Sequence, residues 1–402
     1  MTLRMTILIM SAFGVISDSI LIAFYPQFFR ERYGITSTVH VGAYIAAISI
    51  AVMCMLPVWA RIARRIETMR LLVYTQFAAA IFCVFSAWAP TAWSYWLLTM
   101  IMFMTKASYL LMFPYLMRLE KPQNHSMVIG ALSVVVHIGA IFGATIGGLG
   151  LQQYGPVFCI WLMAAGDFAQ LGLCLYLLYS GKATPVLSRD EKATSLPLPK
   201  RSPQALSALL KLSLLMLLFD FSAYLVRPFF SVYWENTTGL TNQMLTGLIF
   251  AIPGIVALIA LSVKRRYSPP PGLLDHTLGN LLIGALGLML QATPSLWLIV
   301  LGRCLYGWAL YQVTVKLEVT LFKVSSPEVY ARDFGVTNFF QNLGVLLSSF
   351  GAGYLVSLIG IPASFVIAAI GMLLTAVIDR LSFGIDLHHL PSSKSGDLKN
   401  VA

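Results

Sequence analysis

Residues 130–148 read GALSVVVHIGAIFGATIGG and residues 335–353 read GVTNFFQNLGVLLSSFGAG, with glycine at the first, tenth and nineteenth positions of both. The two stretches are 205 residues apart. The same offset relates Gly34, Gly42, Gly155 and Gly166 to Gly239, Gly247, Gly360 and Gly371, and Pro122 to Pro327. At an offset of 202, Asp18 and Pro26 match Asp220 and Pro228. One unit of roughly 200 residues is therefore written twice, and an internal repeat constrains the architecture before any single motif does.

Composition supplies the environment. Hydrophobic residues make up 58% of the chain and charged ones 11%, against roughly 45–50% and about 25% in a soluble domain. Apolar runs lie near 5–29, 40–60, 71–90, 94–117, 127–151, 156–180, 207–231, 240–263, 273–293, 295–318, 334–358 and 362–383. Each is long enough to cross a ~30 Å hydrocarbon layer as a helix. Lipid offers no water to a broken backbone, so the class is an all-α membrane protein. The expected architecture is twelve transmembrane helices in two pseudo-symmetric six-helix bundles. Residues 1–180 form the first, 181–206 a linker, 207–384 the second and 385–402 a tail.

If the N-terminus is cytoplasmic, 22 of the 27 basic residues lie in cytoplasmic segments, among them Arg61, Arg64, Arg65, Arg70, Arg118, Lys121, Lys192, Arg265 and Arg380. That asymmetry predicts both termini in the cytoplasm of a multi-pass protein of the cell membrane, the inner membrane in a bacterium. The net charge of +11 then anchors topology beside anionic lipid, and no nucleic-acid partner is needed. The first apolar run reads as a span and not as a cleaved leader, because eleven more follow. Cys54, Cys83, Cys159, Cys174 and Cys304 all fall within runs without ligand spacing, so no disulfide framework, metal or other cofactor is expected. No nucleophile–base pair and no glycine-rich phosphate loop with lysine is visible, which argues against an enzyme or an ATP-driven pump.

Six plus six spans, a basic central loop and both ends on one side resemble the major facilitator superfamily, over about residues 5–383. Gly130, Gly139, Gly143-Ala144 and Gly147-Gly148 are similar to the helix-5 signature of its drug:proton antiporter branch, with Ala144 where proline usually stands. Small residues at this spacing also let a second helix backbone approach closely, so a tight helix seam is expected there. The loop Ala60–Arg70 keeps the family's basic character between helices 2 and 3. Arg64 and Glu67 stand where Asp and glycine are usual, so the latch attributed to that Asp is not implied here. Arg303, Gly307 and Trp308 resemble the family's arginine-containing helix-4 pattern, though in the other repeat. The resemblance implies a cavity lined by the first and fourth helix of each half, here runs 1, 4, 7 and 10. A monomer is expected.

Seven ionisable side chains lie inside the runs: Asp18, Lys106, His137, Asp167, Asp220, Arg227 and Arg303. A central Asp, Lys or Arg costs roughly 2.5–3.5 kcal/mol on insertion scales, so these groups must face protein or water. Five of the seven fall on runs 1, 4, 7 and 10. Asp220, Tyr224 and Arg227 share a helical stripe, as do Lys106, Tyr109 and Phe113, while Asp18 and Tyr25 stand two turns apart. Aromatic rings mixed with fixed charges suit an organic ion. The expected substrate contacts are Lys106, Arg303, Arg227, Tyr109, Tyr224 and Tyr25. The expected proton carriers are Asp18 and Asp220, matched in the two repeats, then Asp167 and His137. A bland alternative is that Asp18 or Asp220 pairs with Lys106 or Arg303 as buried structural ion pairs.

The reading is a proton-coupled exporter of a small organic molecule, anionic or zwitterionic, such as a carboxylate siderophore or a drug-like compound. Its partners are that substrate, protons and the bilayer. The first alternative is proton-coupled uptake of an organic anion or nutrient; the second is a non-transporting membrane receptor.

Overall fold

The computed structural model describes residues 3–63, 65–112, 115–116, 125–181, 203–266, 277–325 and 330–383. Residues 182–202 of the expected linker, the tail 385–402, Pro122, Pro327, Phe113, Arg64, Arg118 and Lys121 lie outside them, as do the surroundings of Gly130.

The first half contains α1 (Leu3–Ser19), α2 (Tyr25–Tyr33), α3 (Thr38–Ile62), α4 (Thr68–Ala87), α5 (Ala92–Lys106), α6 (His125–Tyr154) and α7 (Pro156–Tyr179). The second contains α8 (Pro203–Tyr224), α9 (Phe230–Thr238), α10 (Gln243–Arg266), α11 (Thr277–Gln291), α12 (Leu296–Val324), α13 (Tyr330–Ile359) and α14 (Ile361–Phe383). Among the described residues, nine stretches are long and apolar enough to span a membrane unaided, Pro203–Thr238 counting as one. The shorter α11, the broken pair α1–α2, and α5 with its 3-10 extension Ala107–Leu111 complete twelve passages.

Among the described residues, two of the apolar runs are split into separate α-helices. The first breaks between Ser19 and Tyr25, and the seventh between Tyr224 and Phe230. Each break carries a proline, Pro26 at the start of α2 and Pro228 in the 3-10 turn Arg227–Phe229. Proline lacks the N–H that would continue the ladder, and it tolerates a helix's first turn. Both short helices then end on a left-handed glycine, Gly34 at φ 67 and Gly239 at φ 69, where a side chain would be strained.

Gly155 and Gly360 repeat that pattern after α6 and α13, so all four mark one end of the bundle, the glycine-capped end. Here the halves meet through α3 against α13 and α6 against α10. A Cβ on Gly42 would lie 2.6 Å from the Ser349 carbonyl oxygen and 2.9 Å from the Gly353 Cα. One on Gly247 would collide with the Ala144 carbonyl, and one on Gly148 with that of Gln243. Hydrogen bonds cross at the same end: Thr38 to the Gly353 carbonyl at 2.9 Å, Ser231 to the Ala23 carbonyl at 2.5 Å, and the Gln27 amide to Glu235 at 3.2 Å. Within the first half, Gly139, Gly143 and Gly147 lie where a Cβ would strike Val15, Ser19 and the Ile20 carbonyl of the first passage. Only glycine permits backbones to come this close.

Candidate functional site

The two helix breaks face each other across a cavity of about 310 Å³ between the halves, at the lower limit of the range for small-molecule sites. The first half contributes Asp18, Ile22, Tyr25, Ile45, Ile48, Ser49, Val52, Phe103, Lys106, Tyr109 and Leu110. The second contributes Tyr224, Arg227, Pro228, Asn342, Val345 and Ser349. The expectation of runs 1, 4, 7 and 10 needs correction. No described residue of α12 borders the cavity, and α3 and α13 do.

Five of the six expected substrate contacts border it: Lys106, Arg227, Tyr109, Tyr224 and Tyr25. Arg303 does not, and its surroundings show why. Pro253 sits inside α10 and cannot hydrogen-bond the carbonyl four residues earlier, that of Ile249. The Arg303 guanidinium donates to that carbonyl at 3.4 Å and to the Phe250 carbonyl beside it, with the Phe230 ring 3.9 Å from its charge. Gly307, one turn on, lets α12 lie against Pro253, to whose Cα a Cβ at 307 would come within 2.5 Å. The Arg–Gly pair is thus a clamp on a proline kink. Arg303→Ala should lower stability by about 1–3 kcal/mol per orphaned carbonyl, read as thermal unfolding in detergent, and an unchanged midpoint would refute the clamp.

The charges of the first half converge on one ammonium. Lys106, 1% exposed, holds Asp18 Oδ1 at 2.7 Å, Asp167 Oδ1 at 2.5 Å and Ser17 Oγ at 3.0 Å. Ser17 in turn reaches Asp167 Oδ1 at 2.7 Å and the Met163 carbonyl at 3.0 Å. Ser17 and Asp167 accept hydrogen bonds from the ammonium, and Asp18 completes the cluster as an ion pair. The side chain of Asp18 is 26% exposed and that of Asp167 0%, so one carboxylate meets the cavity while the other lies behind. Pairing of Lys106 with Asp18 was among the sequence alternatives, whereas Ser17 was not singled out.

Asp220 is not the counterpart of Asp18. Every helix boundary near the two breaks obeys the 205 offset, Ser19 with Tyr224 and Tyr25 with Phe230, so Asp18 corresponds to Ala223 and Asp220 to Val15. Three residues along a helix are about 4.5 Å, enough to remove Asp220 from the cavity. It is buried, within reach of the Gln341 side chain and near Glu318. Tyr311 and Met372 stand 205 residues after Lys106 and Asp167, so the second half has no equivalent trio. His137, half-buried on α6, does not border the cavity either.

Arg227 faces the trio from the other half. Its guanidinium lies 5.2 Å from the centre of the Tyr224 ring, and among the described residues no carboxylate is within ion-pair distance of it. The cavity therefore opposes an available cation on one wall to a half-buried carboxylate on the other, with apolar side chains between.

Comparisons with known proteins bear on the fold. The solved structure of a bacterial homologue of the human lysosomal transporter Spinster is similar with a TM-score of 0.76, at 13% identity over 97% of this chain and 98% of that one. The POT family transporter PepTSo gives 0.75 at 9% identity over 96% and 98%, and the human organic anion transporter MFSD10 (TETRAN) gives 0.71 at 15% over 94% and 98%. Multidrug resistance protein MdtG of Serratia proteamaculans (strain 568) is 25% identical over 267 residues, 64% of this chain, and the chain spans 63% of that relative's length. The Major Facilitator Superfamily profile matches residues 7–273, well over half of the sequence, and with two six-helix halves around a central cavity this chain belongs to that superfamily of membrane transporters, not to the enzymes.

Proposed function

We propose that the protein is a proton-coupled exporter of a small zwitterionic organic molecule, working by alternating access as a monomer with both termini in the cytoplasm of a cell membrane. The observation that carries this reading is the sharing of Lys106 between cavity-facing Asp18 and buried Asp167. With both carboxylates ionised the trio carries a charge of −1, which one proton removes. Lys106 is already shared by two carboxylates, so Arg227 and Tyr224 receive the substrate's anionic group and Asp18 its cationic one. Charge then decides the type of coupling. A substrate cation on Asp18 competes with the proton, which gives exchange, while a purely anionic substrate would be favoured by the protonated site and move with the proton. A zwitterion satisfies both walls.

Export is supported by the glycine signature of α6, and the similarity to a multidrug resistance protein, MdtG, is in keeping with it. In this orientation the glycine-capped end faces outward and is closed. A metabolite comparison inside and outside cells with and without the protein names the substrate and its direction; accumulation inside would favour uptake. In proteoliposomes with that substrate, Asp18→Asn should lose pH-driven transport and retain only weakened counterflow, whereas Asp220→Asn should keep both. Undiminished pH-driven transport by Asp18→Asn would remove Asp18 from coupling.

A further inference from the structure

Behind Lys106, away from the cavity, five buried polar atoms have no protein partner: Oδ2 of Asp167 and both amide atoms of Gln76 and of Gln170. All three residues are 0% exposed. They belong to α4 and α7, which pack against each other with α1 alongside α7. These two helices run antiparallel, and Cys83 Sγ reaches the Ile160 carbonyl at 3.7 Å. Two turns on from that contact along each helix stand Gln76 and Asp167, at one level and on the facing sides. Gln170 lies one further turn from Asp167, away from the glycine-capped end. Gly14 of α1 makes its room, since a Cβ there would come within 3.0 Å of the Gln170 amide nitrogen.

Buried amides and carboxylate oxygens nearly always find a partner, because leaving them dry is costly. None of these three side chains satisfies another directly, and a polar niche of this kind is what buried water occupies. We propose that α1, α4 and α7 enclose a second polar pocket, separate from the substrate cavity, whose waters link Gln76 and Gln170 to Asp167 Oδ2 and relay protons to and from that carboxylate. The proposal rests on the coupling role of the Asp18–Lys106–Asp167 trio. A proton taken by Oδ2 leaves Asp167 a neutral carboxyl and Lys106 paired with Asp18 alone, and the trio passes from −1 to neutral. The charged and titratable groups around Asp167 are Asp18 on α1, Cys83 on α4 and Lys106 of α5.

The test needs no substrate. Protein in liposomes is given a pH jump and followed by infrared difference spectroscopy, the carboxyl C=O band being assigned by its loss in Asp167→Asn. In Gln76→Leu and Gln170→Leu the band should form roughly 100-fold more slowly, the lower end of what a positioned proton-transfer group contributes. Gln76→Ser, which keeps a hydroxyl and vacates space for water, should stay near the wild-type rate. Leucine variants of wild-type speed with a raised thermal midpoint would overturn the pocket, since leucine relieves a dry site. Equal slowing in Gln76→Ser would also overturn it. Gly14→Ala, which crowds only the Gln170 amide, takes the place of a leucine variant that does not fold, with the same slowing expected and the same refutation. Absence of the band in wild-type protein would instead sink the coupling role of the trio.

Discussion

Lys106→Met is expected to cost roughly 3–5 kcal/mol of stability, because it strips the shared cation from a buried carboxylate pair. Asp18 and Asp167 both lie within 2.7 Å of its ammonium. Methionine fills much of the same volume, so the loss reports charge and hydrogen bonding and not a cavity. The pair's energy is separated from packing by a double-mutant cycle. Lys106→Met with Asp167→Asn removes one cation and one anion together and should recover most of the loss, as thermal unfolding in detergent would show. Losses that simply add would mean that the two groups do not meet in the folded protein. Lys106→Arg is no rescue, since a planar fork does not reproduce a compact ammonium set among Ser17, Asp18 and Asp167. Transport should fail in Lys106→Met and stay impaired in the double variant, because the shared ion pair is then absent even where the fold is restored.

How much of this was legible before coordinates depends on the kind of constraint. Gly34 with Gly239 and Gly42 with Gly247 were readable because backbone geometry and close approach leave no other residue type. The apolar runs were readable because lipid admits little else. The partners of the charged groups were not, since Asp167 reaches Lys106 across 61 residues of sequence and nothing in α7 marks which face it presents. The 202-residue match of Asp18 with Asp220 misled for a related reason. Two aspartates at a plausible spacing mimic a repeat, while the helix boundaries follow the glycine offset. Arg303 was assigned to substrate because any charge within a span suggests function, yet the feature that explains it, Pro253, lies on another helix. Gln76 and Gln170 carry no formal charge and so drew little attention, although a buried amide without partners is as informative as a buried ion.

Gly42→Leu combined with Gly247→Leu should open the glycine-capped end. The two glycines are repeat equivalents on the two seams between the halves, α3 with α13 and α10 with α6. A side chain at 42 meets the Ser349 carbonyl at 2.6 Å and one at 247 meets the Ala144 carbonyl. Backbone of a packed helix cannot retreat as a side-chain tip can, so the clash is relieved by parting the helices. Overpacking costs typically about 1–3 kcal/mol per site, and the whole penalty falls on the conformation in which this end is closed. Since about 5.5 kcal/mol carries a two-state equilibrium from 1:99 to 99:1, two leucines approach a full inversion and either alone gives a partial one. Spin labels at Thr36→Cys and Thr241→Cys, in exposed loops of opposite halves and with exposed Cys54 replaced by serine, read this as a longer inter-label distance. Gly172→Leu is the control, for nothing lies within 4 Å of a Cβ there, and it should leave the distance unchanged. If the double variant folds and its distance distribution matches that of the parent, the seams do not hold this end shut. If the distance lengthens, the same variant should expose Asp18 and Tyr25 to water-borne reagents from the capped side, because those seams are what separate the cavity from that face.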